Sequence, residues 1–164
     1  MTATFKKESF VAGHPDAVWE RVTTPEGINH EFRPVMQMTV PRRLKGKAIH
    51  EVPLGTPIGR SWLLLFGIIP FDYDKITIAE CDHGRRFLEK STMMSMARWE
   101  HERTLEERDG GCLVKDRVTF RLRPPVRWIP GAHRFLAWVL SKLFSHRHRK
   151  LQRFFNERKG SQPD

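Results

Sequence analysis

The sequence predicts an α+β domain, a curved antiparallel sheet of six to seven strands wrapped around a long C-terminal helix, with two short helices after the first strand. Three observations carry this. Over residues 131–158, Ala132, Leu136, Val139, Leu140, Leu143, Leu151 and Phe154 recur at steps of three and four, one stripe of a period-3.6 helix. Ahead of it, residues 36–123 read as successive strands separated by the hairpin signals Asp82-His83-Gly84 and Asp109-Gly110-Gly111. Ahead of those, two proline-led segments read as short helices. A helix over 131–158 is ~42 Å long at 1.5 Å per residue, so only an extended sheet can cover its apolar side.

Each element has its own local reason. Residues 4–11 alternate as a first strand, closed by Phe10 and Val11 before Gly13. A helix over 16–22 follows, with Val18, Trp19 and Val22 at helical spacing and Pro15 where a missing N–H costs nothing. Thr24-Pro25-Glu26 repeats the signal, an N-cap and then proline, and starts a second helix through Ile28 to about Phe32. Strands are expected over 36–40, 60–69, 73–81, 85–94, 96–107 and 112–123. The Pro/Gly/Lys-rich connection over 41–57 has room for another short strand at His50 and Glu51. Pro124-Pro125 ends the sheet. Pro130 and Gly131 open the long helix, whose last turns are crowded with Arg and Lys, where cations suit the dipole.

The 164 residues fit one domain over 1–160 with a polar tail at 161–164, large enough to bury a core and leave a pocket. Eleven Phe and five Trp against one Tyr favour an apolar interior. The formal charge of +10, from 29 basic and 19 acidic residues, suits an anionic membrane surface, an acidic partner, nucleic acid or plain solubility, and composition does not choose among them. Two cysteines without metal-ligand spacing suggest neither a disulfide framework nor zinc, and a reduced, cytoplasmic setting is the expectation. The longest apolar run, residues 62–71, is half a bilayer span.

The opening residues, FVAGHPDAVWERVTTPEGI, resemble the usual entrance of the START-like and polyketide-cyclase superfamily. WEHER at 99–103, DRVTF at 116–120 and LFSHRHRKLQRFF at 143–155 resemble one poorly characterised bacterial branch of it. The resemblance spans nearly the whole chain. It implies the helix-grip fold, and it leaves the ligand open, because that superfamily includes lipid carriers, hormone-binding proteins, cyclases and ubiquinone-associated proteins on one architecture.

Strand parity then sorts the side chains. Val114, Val118, Phe120 and Leu122 share a face with Asp116. Trp99 and Leu105 share one with His101 and Arg103, and Phe87, Ser91 and Met93 share one with Glu89. On the helix, stepping by four across the gap between Leu143 and Leu151 lands on Arg147. Buried charges need partners, so Arg103 and Arg147 are expected to neutralise Asp116 and Glu89, with His101 alongside. That group reads either as a structural network or as the polar end of a pocket. The expected pocket wall is Trp62, Leu64, Phe66, Ile76, Ile78, Phe87, Trp99, Val118, Phe120, Leu136, Val139, Leu140 and Leu143.

The leading expectation is binding of a hydrophobic or amphipathic small molecule, lipid-like or polycyclic, with no cofactor and no metal. His146 and His148 are two apart on a helix and point about 200° from one another, so they cannot chelate together. The rival is a cyclase or dehydratase using Glu89, His101 and Asp116 for proton transfer; carboxylates beside arginines are poor shuttles near neutrality. The apolar run 62–71 is expected either between the sheet and a neighbour, as in a homodimer, or with Phe66 to Phe71 as a hairpin tip beside the cavity mouth, touching an anionic membrane or gating ligand entry. Nucleic acid is disfavoured, because the basic run 147–158 reads as a solvated helix face and no stacking aromatics form an RNA-binding motif.

Overall fold

The computed structural model describes residues 1–160. The expected polar tail at 161–164 lies outside them. Strand β1 (Ala3–Val11) is followed by α1 (Pro15–Thr23) and α2 (Pro25–Phe32), then by β2 (Met36–Met38), β3 (Pro57–Leu65), β4 (Ile69–Asp82), β5 (Arg86–Met93), β6 (Met96–Arg108), β7 (Gly111–Leu122) and the long helix α3 (Ala132–Gly160). The seven strands form one antiparallel sheet in the order β1-β7-β6-β5-β4-β3-β2, so the chain's first strand closes against its last. The helix-grip arrangement implied by the sequence is the one observed.

The proline-led helices form for the local reasons given. Thr24 Oγ1 accepts from the Gly27 N–H at 3.2 Å, capping α2. α1 and α2 meet closely there: a Cβ built on Gly27 would stand 1.6 Å from the Arg21 carbonyl oxygen. The turns at Gly84 and Gly110 use positive φ, 80° and 77°, as their Asp/Gly composition requires.

Two expectations are corrected. Residues 60–69 are not one strand: β3 stops at Leu65, and the chain reverses through Phe66 (φ 52°) and Gly67 (φ 76°) before Ile69 begins β4. The apolar run continues straight through the turn, so hydropathy does not mark it. The connection holding His50 forms 3-10 turns, Arg42–Leu44 and Ile49–Glu51, in place of a strand.

The inward stripe of α3 is His133, Leu140, Phe144, Arg147, His148, Leu151 and Phe155. Phe144 and Phe155 join the expected Leu143 and Phe154, which are partly buried against the same core. Two apolar clusters result. Val18, Trp19, Val22, Val114, Leu151 and Phe155 pack at one end, and Trp99, Val118, Phe120, Leu122, Leu140 and Phe144 at the other. No described helix is long and apolar enough to cross a membrane.

Candidate functional site

Between the inward face of the sheet and α3 lies a cavity of about 830 Å³, within the roughly 300–1,000 Å³ usual for small-molecule sites. Strand parity aims Ile76 and Ile78, Phe87 and Glu89, and Trp99 and His101 into it from β4, β5 and β6. α3 adds Leu136, Val139, Leu140, Leu143, Phe144 and Arg147. Sequence reasoning missed a third wall, Phe32 of α2 with Met36, Leu44, Ile49 and Leu63, because it belongs to short or irregular segments with too few residues for a period.

Trp62, Leu64 and Phe66 do not line the cavity. Leu63 faces inward, so Trp62 faces out, packing its ring 5.7 Å from Tyr73, and Phe66 stands on the turn with 64% of its surface exposed. A register shift between Leu63 and Leu64 further breaks the parity that a continuous apolar run concealed. Val118 and Phe120 are fully buried in the core beside the cavity, and Arg103 and Asp116 lie behind its wall.

The charged group forms with the expected Arg103–Asp116 pair and His101 beside it, but Arg147 meets Glu31 in place of Glu89. Arg103 clamps Asp116 with two bonds, Nε to Oδ1 at 2.8 Å and Nη2 to Oδ2 at 2.7 Å, and donates from Nη1 to Glu31 at 2.9 Å. Arg147 donates from Nε to Glu31 at 3.0 Å, and not to Glu89. His101 Nε2 and His148 Nε2 each lie 2.8 Å from an Asp116 oxygen, and His148 Nδ1 bonds Ser9 Oγ at 2.6 Å. Glu31 and His148 were not foreseen. Glu31 sits at i+3 from Ile28 on the inward face of α2, and His148 at i+4 from Phe144, which are the spacings that mark them.

Burial alone would raise both carboxyl groups. The guanidinium charges overrule it: Arg103 and Arg147 hold Glu31 below the ordinary range, while Arg103 and then His101 hold Asp116 well below it. Asp116 is therefore a fixed anion behind the cavity wall, unable to reach a bound molecule or to carry protons near neutrality.

Glu89 belongs to a second polar group. Its Oε1 accepts from Ser91 Oγ at 2.7 Å and its Oε2 is 4.0 Å from His101 Nδ1. Asp74, 2% exposed on the neighbouring strand, also lines the cavity, and its Oδ1 has no hydrogen-bond partner. Burial, and after it the charge of Glu89, pushes the Asp74 carboxyl well above the ordinary range. Nearer the mouth, Asp72 is fully engaged by the Tyr73 and Met94 N–H groups and Ser95.

The cavity opens where Phe71, Val126, Ile129 and Phe135 both line it and reach solvent. Close to these along the chain or the sheet, Phe66, Ile68, Ile69, Met94, Trp128 and Trp138 are each more than half exposed, and Arg127, Arg134 and Lys142 are exposed among them in sequence. Elsewhere Glu20, His50 and His83 bring one potential metal-ligand atom each within 4.8 Å of one another. The perpendicular rings of His50 and His83, with centroids 4.5 Å apart, also pack against Trp19.

Solved structures share this architecture. A START superfamily protein from Mycobacterium smegmatis superposes with a TM-score of 0.66 at 10% identity, over 94% of this chain and 97% of that one. The di-domain ARO/CYC StfQ of the steffimycin biosynthetic pathway gives 0.65 at 16%, over 98% of this chain and 53% of that one. Ara h 8.0201 gives 0.58 at 14%, over 92% and 98%. No curated protein matches the sequence. At these identities the likeness establishes the fold, a START-like helix grip. The family assignment is carried by the sequence itself: residues 9–155 match the family described as a domain of unknown function, DUF8410, and the chain belongs to that family.

Proposed function

We propose that this chain binds a hydrophobic or amphipathic small molecule, a lipid or polycyclic compound, between the sheet and α3. The observation that carries this is the cavity of about 830 Å³, walled mainly by apolar side chains and polar where Asp72, Asp74, Glu89, Ser95, His101 and Arg147 meet it. Close packing leaves few voids larger than a water in an ordinary core, so a space of this size has a use. The neighbours that share the fold include the ARO/CYC protein StfQ of the steffimycin biosynthetic pathway, which is in keeping with a small-molecule ligand. The exposed apolar rim with its arginines would let the mouth rest on an anionic bilayer while ligand enters.

A cyclase-type reading is favoured by one observation, the buried carboxyl of Asp74 in the cavity wall, which burial and the charge of Glu89 push upward, as suits a general acid. Glu89 and His101 would then serve beside it, and Asp116 would not.

Titration with the neutral, environment-sensitive dye Nile red tests the binding reading. Saturable one-to-one uptake with blue-shifted emission, lost in Leu136→Trp where the indole fills the cavity, is expected. Uptake that never saturates, or that Leu136→Trp leaves unchanged, overturns it.

A further inference from the structure

We infer that the polar end of the cavity selects a ligand whose head donates hydrogen bonds, a hydroxyl or an amine, and rejects one headed by a carboxylate. This rests on the binding reading above and deepens it. Asp74 and Glu89 project from adjacent strands into the same space, and Asp74 Oδ1, buried and lining the cavity, has no partner. A buried acceptor left open is costly, and a donor from the ligand would satisfy it.

Each cation nearby already has a carboxylate partner. Arg147 donates to Glu31 and lies between the rings of Phe32 and Phe144, 4.3 and 4.8 Å from their centroids. Arg103 is spent on Asp116 and Glu31, and His101 turns Nε2 to Asp116. Within the network, two arginines balance two carboxylates, so Asp74 and Glu89 give the cavity an acidic excess. The upward push on Asp74 is consistent with that: its charge is unwelcome there until a donor or cation arrives. A carboxylate head would bring a further negative charge against that pair.

Three probes with one tail separate the possibilities: dodecylamine, dodecanol and dodecanoate, each displacing Nile red at neutral pH. Dodecylamine and dodecanol should displace the dye at concentrations about tenfold lower than dodecanoate, a margin of 1.4 kcal/mol. The double variant Asp74→Asn, Glu89→Gln should close that gap, each displacement being referred to that variant's own Nile red affinity, and Glu89→Gln alone should narrow it. Dodecanoate competing as well as the other two in the wild type, with Nile red bound, overturns the head-group inference and leaves the cavity reading standing, the carboxylate then meeting the outer edge of Arg147. Failure of Nile red itself to bind removes both.

Discussion

Glu31 is where two guanidinium groups converge on one buried carboxylate, and its loss would leave Arg103 and Arg147 short of charge behind a dry wall. Glu31→Ala should therefore cost about 3–5 kcal/mol in urea denaturation, whereas Glu80→Ala, at a surface pair with Arg86, should be near silent. Glu31 and Asp116 have depressed folded-state pKa values, so the stability they add is complete above the ordinary carboxylate values of 4.5 and 3.8 and is lost as pH falls through the lower folded ones. Asp74 has the opposite sign. Its raised pKa means that the folded state holds a proton the unfolded state releases, so stability declines as pH rises from 3.8 toward the folded value. Asp74→Asn should raise the melting temperature at neutral pH and give no gain near pH 3.8; equal gains at both would contradict that carboxyl's assignment. Parity made Asp116, His101, Arg103 and Arg147 legible as inward charges. It could not say which neighbour each would meet, because partner choice depends on how α2 docks between the sheet and α3, and that docking leaves no mark on any one strand.

Among the elements, the α1–α2 corner and the β3–β4 hairpin show where local chemistry was and was not readable. Thr24-Pro25 announced the first, and the tight approach at Gly27 follows from it: a methyl group there meets a backbone oxygen that cannot step aside. Gly27→Ala should destabilise by about 3 kcal/mol or more, against about 1 kcal/mol for removing the cap in Thr24→Ala, both read by urea denaturation. The hairpin stood only as one of two readings of the apolar run, because that composition hides the turn. Its turn carries Phe66 in the left-handed region, a conformation an aromatic residue adopts at a cost, with most of the ring in solvent. Phe66→Gly should leave the melting temperature unchanged or higher while weakening co-sedimentation with phosphatidylglycerol vesicles. A large loss of stability would show that the ring is packed and the hairpin no free tip.

At the scale of the whole molecule, the order of periodicities, strand, two helices, a run of strands, one long helix, carried the architecture, because each element's apolar face has a single surface to cover. The cavity was less legible. Whether inward side chains fill a space or line one depends on distances between elements, and residues such as Leu136 and Leu143 look alike in either case. The rim is likewise a property of the assembled chain, joining the hairpin, the segment before α3 and its first turns around one opening. Trp128→Ala together with Trp138→Ala should weaken vesicle binding severalfold and leave Nile red affinity intact, since neither ring lines the cavity. Methyl NMR of the Ile- and Leu-labelled protein on addition of dodecanol tests the account most directly. The account predicts shifts at Ile76, Ile78, Leu136 and Leu140, inside the grip, with exposed Leu54 unmoved; shifts confined to Ile68 and Ile69, with the interior methyls still, would contradict it.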